Sequence, residues 1–146
     1  MDSYFLSDTY LLRGATLGDV DAVRGISYFQ DFEPGSLIVS ESDKSQDIMI
    51  VAKGRVRVST REDDLIDELR VGAVLGEISF LDGKKRTANV FSIGESTVFI
   101  IPADKLRALM SQNPSFEIVI LRNAALALCE RLREANQQVE AMLAPR

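Results

Sequence analysis

The sequence predicts a mainly β protein with flanking helices, an eight-stranded antiparallel β-roll followed by a long C-terminal helix. Residues 26–102 are short strand-like runs separated by Gly, Asp and Ser, and about eight strands at this spacing are typical of an antiparallel roll or barrel. After Pro102 the apolar residues follow helical periodicity over residues 103–143. With residues 1–25 as a mixed N-terminal segment, the 146 residues are expected to form a single domain.

A short helix precedes the predicted strands. Thr16 can cap a helix over residues 16–23, and Gly25 suits the left-handed conformation in which many helices end. Lys53-Gly54 lies between two strand-like runs and is predicted to form a tight hairpin. Asp63-Asp64 is interpreted as a solvated hairpin tip rather than a catalytic carboxylate pair. The strand-like runs cover residues 26–32, 36–40, 48–52, 55–60, 65–71, 87–92 and 97–101.

Two helices are predicted after the strands. The first covers residues 103–112, and the second runs from Ser115 to about Leu143 after a break at Asn113-Pro114. Along the second helix apolar residues recur in alternating steps of three and four, a heptad seam typical of a parallel helix pair between two chains. The alternative is a helix packed only on its own β-roll. The seam consists of Ile118, Leu121, Ala125, Leu128, Leu132, Ala135, Val139 and Met142.

Composition excludes several classes of function. The chain has no His and one Cys, so His-dependent nucleophile pairs, His-ligated metal sites and internal disulfides are excluded. A net charge of -5 argues against nonspecific binding to nucleic acid or to an anionic membrane, and no apolar run is long enough to span a bilayer. No secretory signal is visible, so a cytoplasmic protein with a reduced Cys129 is expected. We expect no enzymatic activity and no metal or cofactor.

Residues 75–90 carry the most informative motif, which we call the cassette. Arg86 can meet two oxygens of an anion with its planar fork, and Thr87 adds a hydroxyl donor. The small side chain of Ala88 leaves its backbone N–H open to an anion. Residues 78–81 would form a helical turn whose free N–H groups favour negative charge. The cassette therefore predicts an anion site.

The cassette resembles the phosphate-binding cassette of cyclic nucleotide-binding domains. Gly76-Glu77, the small Ser79 and Arg86-Thr87-Ala88 carry this resemblance, which extends over roughly residues 16–142. Further marks of the family are Phe32-Glu33-Pro34-Gly35, Gly54 and Gly72. The resemblance implies the effector half of catabolite-activator-type regulators, with a β-roll and a long helix.

The resemblance also implies a ligand, cAMP or cGMP. Ionised Glu77 can accept the proton of a ribose 2′-hydroxyl, and Asn136 lies near the part of the helix that reaches the base in relatives. Thr87 is compatible with cGMP as well as cAMP, since a hydroxyl at this position in relatives can bond a guanine amino group. The expected ligand-binding residues are Gly76, Glu77, Ile78, Ser79, Arg86, Thr87, Ala88 and Asn136.

The predicted function is therefore a stand-alone cyclic nucleotide sensor that forms a homodimer through its C-terminal helix. No helix-turn-helix follows the helix, so direct DNA binding is not expected, and either the output would pass to a protein partner or the chain is a fragment of a longer protein. The alternative is a ligand-free dimerisation or scaffold module, in which Glu77 and Arg86 pair only with each other. Phe80 stands where the family usually has an aliphatic residue, and it could narrow the pocket or fill the core.

Overall fold

One antiparallel sheet dominates the computed structural model, which describes residues 6, 8–60 and 65–145. Within that part of the chain the sheet has six strands in the order β1-β6-β3-β4, with β2 also paired to β6 and β5 to β3. The predicted antiparallel roll is confirmed, with fewer strands than expected. The strands are β1 (Tyr28–Phe32), β2 (Leu37–Val39), β3 (Ile48–Ser59), β4 (Leu65–Arg70), β5 (Val74–Leu75) and β6 (Asn89–Ile101).

The predicted hairpin at Lys53-Gly54 is wrong, and this error explains part of the difference in strand number. β3 continues through both residues, and its register against β6 shifts on either side of Lys53. Gly54 has a φ of +84°, and a Cβ there would lie 2.4 Å from the carbonyl oxygen of Glu95. The glycine therefore permits a close approach of two strands at a bulge, not a chain reversal. β6 likewise joins most of the two runs predicted at residues 87–92 and 97–101.

The helices follow the predicted order. A 3₁₀ helix (Tyr10–Leu12) precedes α1 (Leu17–Ile26), and α2 (Glu77–Asp82) lies in the cassette. α3 (Ala103–Gln112) and α4 (Pro114–Leu143) follow β6. No helix within the described ranges combines the length and the apolar character needed to cross a membrane.

The ends of α1 show one correct and one incorrect prediction. The Oγ1 of Thr16 accepts from the backbone N–H of Asp19 at 3.0 Å, and the backbone N–H of Thr16 donates to the Asp19 carboxylate at 3.3 Å. This capping box begins the helix as predicted. Gly25 does not end it, because the helix continues to Ile26 and Ser27 is the C-cap.

The core consists of two apolar clusters, and β3 contributes to both. Ile48 and Ile50 belong to the cluster that contains the buried residues of the helices, whereas Met49 and Val51 belong to the cluster formed by the strands. Successive side chains of a strand point to opposite faces, so β3 separates the inside of the roll from the helical layer. α4 joins the helical layer through Phe116, Ile120 and Ala124, each spaced by four residues.

Candidate functional site

A cavity of about 420 Å³ lies among the cassette, strands β2 to β6 and α4. Its volume falls within the range of roughly 300–1,000 Å³ that is usual for small-ligand pockets. Apolar strand residues such as Val39, Met49 and Val74 line it together with the polar cassette residues Glu77 and Arg86. The cavity can therefore hold a ligand with both an apolar part and an anionic part.

Two glycines in the left-handed conformation delimit α2. Gly76 precedes the helix with a φ of +88°, and Gly83 follows it with a φ of +73°. A Cβ on Gly76 would lie 2.0 Å from Nη1 of Arg86 and 2.6 Å from the carbonyl oxygen of Asp47. Only glycine therefore lets the Arg86 guanidinium lie against the backbone at the start of α2.

Arg86 is a buried cation on the cavity wall, with 6% of its surface exposed. Its Nη2 donates to the carbonyl oxygen of Asp47, and its backbone N–H donates to that of Asp43 at 3.2 Å. Burial lowers the pKa of Arg86, and the nearby carboxylates of Asp43, Asp47 and Glu77 oppose that shift. Nε and Nη1 make no hydrogen bond within the described residues. The guanidinium thus keeps two donors for an anion.

Glu77 is a buried carboxylate on the same wall, with 2% of its surface exposed. It forms an ion pair with Arg131 of α4, not with Arg86. A buried carboxylate needs such a partner, since burial of an unpaired charge is costly. The pair brings the long helix to the edge of the cavity.

Tyr10 lies close enough to this ion pair to respond to its charges. Burial raises the pKa of the Tyr10 phenol, the negative charge of Glu77 raises it further, and Arg131 lowers it. Within the described chain the buried hydroxyl has no hydrogen-bond partner. Asn123 of α4 donates to the carbonyl oxygens of Leu11 at 2.8 Å and Arg13 at 2.9 Å, which holds the 3₁₀ helix against α4.

Comparison with known families agrees with this geometry. The model of the cyclic nucleotide-binding domain matches residues 29–113, more than half of the chain. The chain belongs to the cyclic nucleotide-binding domain family. The family assignment suggested by the cassette residues is therefore confirmed.

The relatives of this cyclic nucleotide-binding domain occur in larger proteins. Glutaminase 1 of Bradyrhizobium diazoefficiens is 26% identical over 135 residues, which are 92% of this chain and 22% of that protein. Human cyclic nucleotide-gated channel alpha-2 is 29% identical over 123 residues, 77% of this chain and 18% of the channel. The chain thus spans about a fifth of the length of these relatives.

A solved structure shares the fold. The catabolite activator protein of Thermus thermophilus matches with a TM-score of 0.78 and 25% identity, covering 92% of this chain and 63% of that one. This match agrees with the architecture implied by the cassette resemblance.

The structure brings most of the predicted ligand-binding residues together. They line one cavity, and their contact with a ligand stays a prediction. The cavity-lining members of the predicted set are Gly76, Glu77, Ile78, Ser79, Arg86, Thr87 and Ala88.

Asn136 is the exception among the predicted residues. It is exposed and is not one of the residues that line the cavity. Arg131 and Glu134 of α4 line it instead. Because a helix turns by about 100° per residue, Asn136 lies roughly 140° round the helix from Arg131 and faces another direction.

The sequence did not place Arg131 and Glu134 at the cavity. Their spacing of three residues on one helix face was the available signal. No sequence pattern pointed to Asp47 or Tyr10 as residues of the site, because each interacts with residues distant in sequence.

The remaining sequence predictions at the site can also be placed. Phe80 is buried in the helical cluster and does not line the cavity, so it fills the core. Lys84 and Lys85 are exposed. Asp63 and Asp64 lie outside the described residues. Among the residues that are described, no cluster of His, Cys, Asp or Glu is arranged to hold a metal ion.

Proposed function

We propose that the chain is a regulatory module that binds a cyclic nucleotide, cAMP or cGMP, in this cavity. The observation that carries the proposal is Arg86, a buried guanidinium on the cavity wall with two donors that the described protein leaves unused. A cyclic phosphate carries one negative charge on two exocyclic oxygens and matches such a planar pair of donors. The module acts by binding, and the glutaminase relative lends it no catalytic role.

The other parts of the nucleotide have matching groups. Thr87 and Ala88 stand beside Arg86 on the cavity wall and supply a hydroxyl and a backbone N–H near the phosphate. Glu77 accepts hydrogen bonds only and suits the ribose 2′-hydroxyl. The base would lie toward α4, where Arg131 and Glu134 line the cavity.

Glu77 also connects the ligand to α4. Arg131 pairs with its carboxylate, and a ribose hydroxyl would approach the same group. Binding of a ligand would therefore change the ion pair that joins the cassette to α4. Ligand binding could in this way alter the position of α4, and a regulatory module requires such a response to its ligand.

We further propose that α4 forms a homodimer in the cytoplasm. Phe116, Ile120 and Ala124 pack on the chain's own core, whereas the heptad seam lies on another face. Most of the seam is exposed, with Leu132 at 62% and Val139 at 53%. An apolar seam of this length is typical of helices that pair with a second chain.

Binding of cAMP and of cGMP to the wild type and to Arg86→Leu tests the proposal by calorimetry. The variant should fold and lose about 10- to 150-fold in affinity, the equivalent of roughly 1.5–3 kcal/mol for a hydrogen bond to a charged group. Lys85→Leu removes a neighbouring exposed cation and should change affinity less than about threefold. A wild-type protein with no heat and no melting shift at millimolar levels of either nucleotide would instead favour the ligand-free scaffold.

A further inference from the structure

Arg107 of α3 lies at the far end of the cassette helix from the cavity. Its Nη2 donates to the carbonyl oxygen of Phe80 at 3.1 Å, and its guanidinium lies 4.8 Å from the centre of the Phe80 ring. The same Nη2 also donates to Oε1 of Gln46. Arg107 thus binds both the backbone and the side chain of one α2 residue.

Gln46, in the loop before β3, completes this contact. Its Nε2 donates to the carbonyl oxygen of Gly83 at 2.9 Å, while its Oε1 accepts from Arg107. The carbonyl oxygens at the C-terminal end of a helix lack intrahelical partners, and cations are favourable there. Arg107 and Gln46 therefore satisfy this end of α2 from outside the cassette.

Asp47, the next residue in the loop, also connects α3 to the cassette, at the other end of α3. The Asp47 carboxylate accepts from the backbone N–H of Ala103, the first residue of α3, at 2.8 Å. The carbonyl oxygen of Asp47 accepts from Nη2 of Arg86. Gln46 and Asp47 thus each bind α3 through one polar group and the cassette through another.

α3 is in turn joined closely to α4. Asn113 is the only residue between the two helices, and its Oδ1 accepts from the backbone N–H of Phe116 at 3.2 Å. Its Nδ2 donates to the Asp19 carboxylate at 3.0 Å. A shift of α3 would therefore change the start of α4.

We infer that Arg107, supported by Gln46, is a positioning residue that couples the cassette helix α2 to α3 and so to α4. The inference rests on the proposed function for its ligand-driven part. Arg107 does not line the cavity. It acts by holding α2, so that a ligand that moves the cassette also moves α3. The coupling itself rests on contacts within the chain.

Hydrogen exchange on the full chain, with and without cAMP or cGMP, tests this inference in Arg107→Met. Without nucleotide, amides of α2 should exchange roughly tenfold faster than in the wild type, as expected when a hydrogen bond to a charged group is lost. Gln46→Ala, a change at a partly exposed loop residue, should give the same effect more weakly. Lys105→Met removes an exposed cation of the same helix and should leave α2 unchanged.

With nucleotide, the wild type should gain protection in both the cassette and α3–α4, whereas Arg107→Met should gain it in the cassette alone. Unchanged exchange of α2 in ligand-free Arg107→Met overturns the inference whether or not nucleotide binds. So does a variant whose α3–α4 response equals that of the wild type. A wild type that shows no response to either nucleotide refutes the proposed function and with it the ligand-driven part, while the α2 result still decides the coupling.

Discussion

Arg131 of α4 pairs with the buried carboxylate of Glu77 in the cassette. Glu77 is 2% exposed, whereas the Arg131 side chain is 48% exposed. The buried partner depends on the exposed one, because removal of Arg131 leaves a carboxylate buried without a counter-charge. The pair is therefore both a stabilising contact and the link between the cavity and the long helix.

Arg131→Met should lower the free energy of unfolding by about 1–3 kcal/mol, less than for a fully buried pair because Arg131 is half exposed. In a Glu77→Gln background the side chain at position 77 carries no charge, so Arg131→Met should lower the free energy of unfolding much less. A double-mutant cycle by urea denaturation measures the coupling, expected to be about 1 kcal/mol or more. Arg133→Met, an exposed change on the same helix, is the control. Equal effects of Arg131→Met and Arg133→Met would contradict the pairing.

Gly76→Ala should disrupt the anion site. The new Cβ would overlap Nη1 of Arg86, so the guanidinium must shift and affinity for the nucleotide should fall more than about tenfold. Gly72→Ala is a matched control, because Gly72 has a φ of +95° and open space where the Cβ would be. Gly72→Ala should lose about 1–2 kcal/mol of stability from the left-handed conformation, measured by denaturation, and Gly76→Ala should lose more because its Cβ also overlaps the carbonyl oxygen of Asp47. If calorimetry finds equal affinities for the two variants, Gly76 has only a conformational role.

The sequence predicted the cassette well because its residues are close together in the chain. Gly76, Glu77 and Arg86 form a local motif, and the turn at Gly83 brings the two ends of that motif back to one wall. The helices were also predictable, since Thr16 and Asn113 cap their own first turns. Local signals such as these need no knowledge of the tertiary fold.

The errors concern residues whose role depends on a distant partner. Lys53-Gly54 has the composition of a hairpin, but the approach of Glu95 makes it a bulge in a continuous strand. Asn136 has a suitable amide, but the rotation of α4 is set by packing of Phe116 and its neighbours far upstream. The same rotation brings Arg131 to Glu77, a contact that periodicity does not reveal.

Tyr10 should make stability depend on alkaline pH. The pKa of Tyr10 in the folded protein is raised above the ordinary value near 10. Its stabilising contribution is therefore complete below about pH 10. The contribution is lost as the pH rises further, because the phenol ionises first in the unfolded chain. The loss should be at most about 1 kcal/mol per pH unit, since the residue is only partly buried. Tyr10→Phe should abolish this part of the decline above about pH 10, whereas Tyr28→Phe, at a half-exposed tyrosine, should not. Identical alkaline denaturation curves for the two variants would show that Tyr10 does not cause the loss of stability at high pH.

Leu132→Lys should convert the proposed dimer to monomers. Leu132 belongs to the heptad seam and is 62% exposed, so a lysine there is harmless in the monomer but places two unpaired charges in a symmetric interface. Leu126→Lys is the matched control, because Leu126 is 57% exposed and lies about 120° round α4 from Leu132. Sedimentation velocity should show dimers for the wild type and Leu126→Lys at micromolar concentration, and a dissociation constant at least about 100-fold higher for Leu132→Lys. A dimer that withstands Leu132→Lys but not Leu126→Lys would place the interface on a different face of the helix. A monomeric wild type at about 100 μM would exclude the seam as a stable interface.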